Sequence, residues 1–131
     1  MRNISFMLTT EAFRAGTKTV TRRCGWWDLR PGTRLMGVEK SQGLKKGEKI
    51  VRLHPIVVLR AESQPLWIIK GYGIKELRRE GLPDMTADGF IEMFIKHNWS
   101  KCRRDRERTL VNRIVFRHLH LNLKWFPGGK L

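Results

Sequence analysis

Cysteine is nearly absent. Cys24 and Cys102 are the only two in 131 residues, and neither belongs to a Cys-x-x-Cys pair, which argues against both a disulfide framework and a zinc knuckle. Two reduced thiols are expected, with no metal and no cofactor. Acidic residues are scarce as well: 12 Asp and Glu face 27 Lys and Arg, a formal charge of +15. That excess goes well beyond what solubility needs and implies a polyanionic partner. No apolar run approaches the roughly 20 residues needed to span a bilayer, and the positive charge is spread along the chain, so nucleic acid is the expected partner rather than a membrane. Residues 1–10 lack the pattern of a secretory signal, and a cytoplasmic location is expected. The chain is long enough for one core and too short for two ordinary ones, so one domain over residues 1–131 is expected.

The stretch Gly16-Thr17-Lys18-Thr19-Val20-Thr21-Arg22-Arg23 concentrates the chemistry. A short helical pattern, Thr10 to Ala15, precedes it, and Gly16 is placed to end that helix in the left-handed conformation. The β-branched residues that follow favour a strand. Two readings of its charges stay open: an edge strand protected by cations against pairing between molecules, or an anion-binding and reactive site in which Lys18 acts beside threonine hydroxyls. A spacing of three sets Lys18 and Thr21 on opposite faces of a regular strand, so their convergence requires a turn at Lys18 or a bulge.

The remaining elements follow from periodicity. Ile4 to Leu8 reads as a first strand. Trp26 and Trp27 are adjacent and cannot share one face, so one packs inward while the other stays near the surface beside Arg22, Arg23 and Arg30, either as a stacking platform for a base or as a loop aromatic covering the core. Pro31-Gly32 marks a turn, and Thr33 to Lys40 the next strand. The segment 41–49 carries Lys45, Lys46 and Lys49; its Gly-Leu-Lys-Lys-Gly-Glu-Lys run lacks the spacing of a Walker loop and is expected to contact phosphates or to be merely solvated. Ile50 to Ala61 is two strands or one bent strand, with Pro55 at an edge, bulge or turn. Leu66, Ile69, Ile74 and Leu77 mark short helical pieces broken by Gly71 and Gly73 and ended by Gly81. Thr86 caps a helix running to about His97, on which Phe90, Met93, Phe94 and His97 form a stripe expected to face the core. Asn98 to Leu110, with Arg103 and Arg104, is a basic connection expected to be a disordered loop or an RNA-contacting arm. Val111 to Leu121 is a strand placing His118 and His120 on one face, with no further metal ligands evident. Residues 124–131 are expected to be a flexible tail.

Taken in order, Gly-x-Lys-Thr-x-Thr-Arg, Leu29-Arg30-Pro31-Gly32-Thr33-Arg34-Leu35, Glu80-Gly81-Leu82-Pro83-Asp84-Met85-Thr86 and Asn112-Arg113-Ile114-Val115-Phe116 resemble the ASCH domain, a branch of the PUA-like superfamily, over about residues 5–119. The resemblance implies an α+β fold, a PUA-like β-barrel with peripheral short helices. It implies a cleft lined by Lys18, Thr21 and Glu80 that binds RNA, a modified nucleoside or nucleotide, or DNA. Around it Arg22, Arg23, Trp26, Trp27, Lys45, Lys46, Lys49, Arg103 and Arg104 would contact nucleic acid. Some bacterial ASCH-like proteins are amidohydrolases of acetylcytidine that depend on a Lys, a Thr three residues later and a Glu in the second half, which fall on Lys18, Thr21 and Glu80; others have been linked to ribonuclease activity. In that role Lys18 would take the proton of Thr21, and Glu80 would orient the lysine or protonate the leaving amine. This chain departs from the minimal amidohydrolases in its basic loop around 41–49 and in the pair Arg22-Arg23.

Overall fold

Alternation along the sequence resolves into five strands: β1 (Arg2–Ser5), β2 (Val20–Arg23), β3 (Arg34–Val38), β4 (Arg52–Pro65) and β5 (Leu110–His118). The computed structural model describes residues 1–119. The strands form one sheet in the order β1-β3-β4-β5-β2, antiparallel except for the β1–β3 pair. The sheet curls into a half-barrel and carries short helices at its periphery, an α+β arrangement. Its two edge strands converge at one end, where Arg23 Nη2 at the close of β2 donates to the carbonyl of Ser5 at the close of β1, 2.5 Å away.

The Ile50 to Ala61 region settles as one long bent strand. Register shifts at Met36/Val38 on one side of β4 and at Val58/Arg60 on the other supply the bend. Pro55 sits inside β4, opposite Met36. Its carbonyl accepts from Leu119 N–H just past the end of β5, so the donor it lacks falls where the ladder runs out. Opposite the bend, Gly37 leaves room for the Phe13 ring, which a Cβ there would meet at 2.3 Å.

The helices are α1 (Thr10–Ala15), α2 (Ile69–Tyr72), α3 (Ile74–Arg79), α4 (Ala87–His97) and α5 (Trp99–Cys102). Gly16 ends α1 at φ 81° and Gly81 follows α3 at φ 85°. At Gly81 a Cβ would also press on Ala12 and Lys18, at 2.9 and 3.3 Å, so this turn packs directly on the motif segment. Thr86 caps α4 by accepting from Gly89 N–H at 3.0 Å. Trp26 packs partly into the core, while Trp27 is exposed.

Several expectations need correction. Asn98 to Leu110 is helical over much of its length, in α5 and the 3-10 turn Arg106–Arg108, and Cys102 within it is buried. Ile74 is exposed rather than part of an apolar face. On α4 the core-facing residues are Phe90, Ile91, Phe94 and Ile95; Met93 is only half-buried and His97 is exposed. His120 and residues 124–131 lie outside the described residues.

Two apolar clusters flank the sheet. Inside the curl lie Ile4, Phe6, Phe13, Leu35, Ile56, Val58, Ile114 and Phe116, with Phe6 and Phe13 stacked at 4.1 Å. On the other side α4 packs with Leu66, Ile69, Leu77 and Val111. Each large side chain so buried contributes about 1.5–3 kcal/mol. Residue alternation on β5 divides the two, since Ile114 belongs to the first cluster and Val111 to the second.

Candidate functional site

On the second face of β5, between Val111 and Val115, the alternation places Arg113, and its partner across the ladder is Arg22 of β2. Two cations side by side on a buried face demand carboxylates. These come from α3 and its end. Glu76 and Glu80 are four residues apart on one helical face. Arg22 Nη2 lies 2.6 Å from Glu76 Oε2 and Arg22 Nη1 lies 2.8 Å from Glu80 Oε2. Arg113 holds Glu76 through both carboxylate oxygens, at 2.7 and 3.0 Å. The ring of Tyr72 covers both guanidinium groups, at 5.3 Å from Arg22 and 4.7 Å from Arg113.

Lys18 joins this layer from the stretch between α1 and β2. Its ammonium donates to the Glu80 carbonyl at 2.5 Å and to Glu80 Oε1 at 3.1 Å. Burial pulls the Lys18 ammonium below its ordinary value, against the charge of Glu80 that favours it. Burial raises the Glu76 carboxyl, but its hydrogen bonds from Arg113 and the charge of Arg22 outweigh this and leave it below the usual carboxylate range. The Arg113 hydrogen bond to Glu76 likewise pushes Arg113 upward.

Behind Lys18 stands a pair of histidines. His118 Nε2 is 2.6 Å from the carbonyl of Lys18, and His118 Nδ1 is 2.7 Å from His54 Nε2. The carbonyl can only accept, so Nε2 carries the proton; in the neutral ring Nδ1 then accepts from His54 Nε2–H. Burial lowers the His118 pKa, which suits that neutral state. Among the described residues no group of three His, Cys, Asp or Glu is placed to hold a metal ion.

A cavity of about 340 Å³ opens beside this layer. Lys18, Thr21, Arg22, Arg23 and Glu80 line its floor; Met7, Leu8, Leu82, Phe90, Met93 and Phe94 form its walls; Gln42, His97 and Asn98 reach it from the rim. The α4 stripe therefore serves both the core and the cavity, which sequence periodicity assigned to the core alone. Lys18 lies ahead of β2, not within it, and β2 is an edge strand, so residues from both of its faces reach one cavity without a bulge. Lys18 and Thr21 do not bond each other. Thr21 Oγ1 accepts from Arg23 Nε at 2.9 Å, while Lys18 is held by Glu80.

The structure thus brings Lys18, Thr21, Glu80, Arg22 and Arg23 together and leaves the other candidates apart. Glu80 is buried, as a residue of the cleft and not of the outer surface. Arg22 is buried between Glu76 and Glu80, so its charge is answered within the layer. With Lys18 and Arg22 buried, β2 is an edge strand whose cations are not all displayed to solvent. Trp26 takes a φ of 61° beneath Arg2, 4.8 Å from its ring, and neither Trp26 nor Trp27 lines the cavity. Lys45, Lys46 and Lys49 are exposed on the 39–51 loop, and Arg103 and Arg104 are exposed after α5. Sequence reasoning missed Glu76, Arg113, Tyr72 and the wall residues. The four-residue spacing of Glu76 and Glu80 was the available signal, together with a charged residue at an otherwise apolar alternation on β5.

No protein-family model matches the sequence, and no curated protein does. Among solved structures, the ASCH domain from Lactobacillus crispatus superposes with a TM-score of 0.60 at 13% identity, covering 89% of this chain and 78% of that one. The fold is ASCH-like. A protein from Enterococcus faecalis described by the family model DUF984 superposes with a TM-score of 0.56 at 15% identity, over 86% of this chain and 70% of that one. The likeness read from the sequence motifs holds for the fold as a whole. Among the described residues no helix is long and apolar enough to cross a membrane.

Proposed function

We propose that this ASCH-like chain binds RNA or a modified nucleotide, seating one nucleotide in the cavity lined by Lys18, Thr21 and Glu80 while basic loops contact phosphates. The observation that carries the reading is the cavity itself: about 340 Å³, with a cationic floor and an apolar wall of methionine and phenylalanine. That volume is at the lower end of small-ligand sites, which run from roughly 300 to 1,000 Å³. A polar, charged floor suits phosphate or base edges, and the wall suits the faces of a base. The formal charge of +15 and the exposed Lys45, Lys46, Lys49, Arg103 and Arg104 support longer-range attraction to the backbone. Fluorescence anisotropy with a short single-stranded RNA tests this. Log affinity is expected to fall linearly with log salt, by about 0.7 per phosphate contact. Affinity that does not change with salt contradicts the reading.

A second reading has its own support: hydrolysis of an acylated nucleoside. Burial lowers the Lys18 pKa within the same cavity that Thr21 lines, so the neutral amine needed to activate the hydroxyl is within easier reach there than in water. The Lys18→Arg variant keeps the cation but has no accessible neutral form. It is expected to retain RNA affinity and lose acetylcytidine hydrolysis, and Thr21→Ala to do the same. A wild-type chain inert toward a panel of acylated nucleosides removes this second reading and leaves the first intact.

A further inference from the structure

Lys18, Arg22 and Arg23 line the cavity, Arg113 stands across the ladder from Arg22, and three of the four are answered by carboxylates. Lys18 meets Glu80, Arg22 meets Glu76 and Glu80, and Arg113 meets Glu76 together with Glu62 at 3.5 Å. Arg23 is different. Among the described residues it forms no ion pair, and its hydrogen bonds go to neutral oxygens, from Nε to Thr21 Oγ1 and from Nη2 to Ser5 O. Its charge feels Glu80 only from beyond contact distance, and burial draws its pKa down to about 10. A guanidinium has five N–H groups, so three remain after these two bonds. Nη1 makes neither bond and is not among the sealed atoms that lack a partner, so it is open to solvent on a residue that lines the cavity.

A guanidinium drawn out of bulk water with no carboxylate against it is held at a cost, which an arriving oxyanion would offset. The two existing bonds fix the plane of the fork, as bidentate recognition of a tetrahedral anion requires. The ring of Phe6 backs the guanidinium at 5.2 Å. The apolar side chains of Met7, Leu8, Phe90 and Met93 line the same cavity and offer an anion nothing and a base a surface to lie on.

We propose that Arg23 is the phosphate anchor of the cavity, and that the ligand it selects is a nucleotide carrying a terminal phosphate rather than a neutral nucleoside. This rests on the nucleotide reading of the cavity given above. Calorimetric titration of the full chain with each of the four common ribonucleosides, and with the corresponding 5′-monophosphates, tests both statements separately. A monophosphate is expected to bind about tenfold or more tightly than its nucleoside, the difference a charge-assisted contact typically makes. Inorganic phosphate should compete with the monophosphate and leave nucleoside binding unaffected. In Arg23→Gln the ratio of monophosphate to nucleoside affinity should fall to about one. Arg23→Lys, which keeps the charge and one donor to Ser5, should hold an intermediate preference and covers the case in which Arg23→Gln does not fold. A hexanucleotide with a 5′-phosphate that gains over its 5′-hydroxyl form assigns the phosphate to an RNA end; a gain confined to mononucleotides assigns it to a free nucleotide. Equal affinity for nucleoside and monophosphate, or a preference that survives in both variants, overturns the assignment of Arg23 and leaves the cavity reading standing. Binding of neither class overturns both.

Discussion

The two sides of the sheet are built on different physics. Inside the curl, Phe6, Phe13, Ile56, Ile114 and Phe116 fill space with side chains that have nothing to satisfy. On the other side, beside the cavity, Lys18, Arg22 and Arg113 are buried against Glu76 and Glu80, each group depending on the next. An apolar core degrades gradually when trimmed, because the loss scales with the atoms removed and the space left behind. A buried ionic layer does not, because removing one member strands its partners without water. One donor in that layer, Arg22 Nε, is already buried without a hydrogen bond, so the charged side has no slack. A layer that costs this much is weak evidence for stability and better evidence for a surface that must present charge at a fixed place, here the cavity floor.

The largest expected effect is therefore on the charged side. Glu76→Ala leaves Arg22 with Glu80 alone and Arg113 with only the half-exposed Glu62 at 3.5 Å, and should cost about 3–5 kcal/mol in chemical denaturation. By contrast Ile114→Val, one buried methylene in the apolar cluster, should cost about 0.5–1.5 kcal/mol. If the two cost the same, the contrast between the layers is wrong. Between them lies Gly37→Ala, whose Cβ would meet the Phe13 ring at 2.3 Å and should destabilise by about 1–3 kcal/mol through overpacking. Thr86→Ala removes the cap of α4 at the far side of the cavity and should cost about 1 kcal/mol.

The smallest effect is in the pH profile, where the histidine pair joins the two layers. Burial lowers the His118 pKa from 6.5, so as pH falls below 6.5 the unfolded chain takes up a proton that the folded chain refuses, and stability present above that pH is lost. Glu76, also lowered from its usual value of 4.5, repeats the sign further down: its contribution is present above 4.5 and is lost as pH falls toward the folded pKa. His118→Gln should flatten the upper step and leave the lower one. Thermal melts between pH 7 and pH 4 on both proteins check this, and a His118→Gln profile identical to wild type contradicts it.

The apolar side was legible in the sequence because it is periodic. Leu110–His118 alternates, Thr86 and the residues after it repeat at helical spacing, and Gly16 and Gly81 stand where the chain must take positive φ. The cavity floor was legible in part: Lys18, Thr21 and Glu80 do line one cavity, and the face problem between Lys18 and Thr21 disappears because Lys18 lies in the connection ahead of β2, not within the strand. What escaped was pairing across distance. Nothing local to Arg22 announces that its partners lie on α3, and by local composition Arg22 and Arg23 look alike. One is enclosed by two carboxylates and the other by none, a difference made by strand alternation and the position of α3. Met93 and His97 were misread for a related reason. Helical spacing tells which residues share a face and leaves open whether that face meets protein or a cavity.

Filling the cavity without touching its charge shows whether the nucleotide seats there. Met93 is half-buried on the wall and contacts no member of the ionic layer by hydrogen bond or ion pair among the described residues, so Met93→Trp adds bulk while Lys18, Thr21, Arg23 and Glu80 stay in place. Binding of a ribonucleoside 5′-monophosphate to wild type and to Met93→Trp, each verified as folded by its thermal melt, is the measurement. With the nucleotide seated in the cavity, affinity is expected to fall at least tenfold in the variant at unchanged net charge. Undiminished binding would contradict it and move the nucleotide out of the cavity to the exposed basic loops.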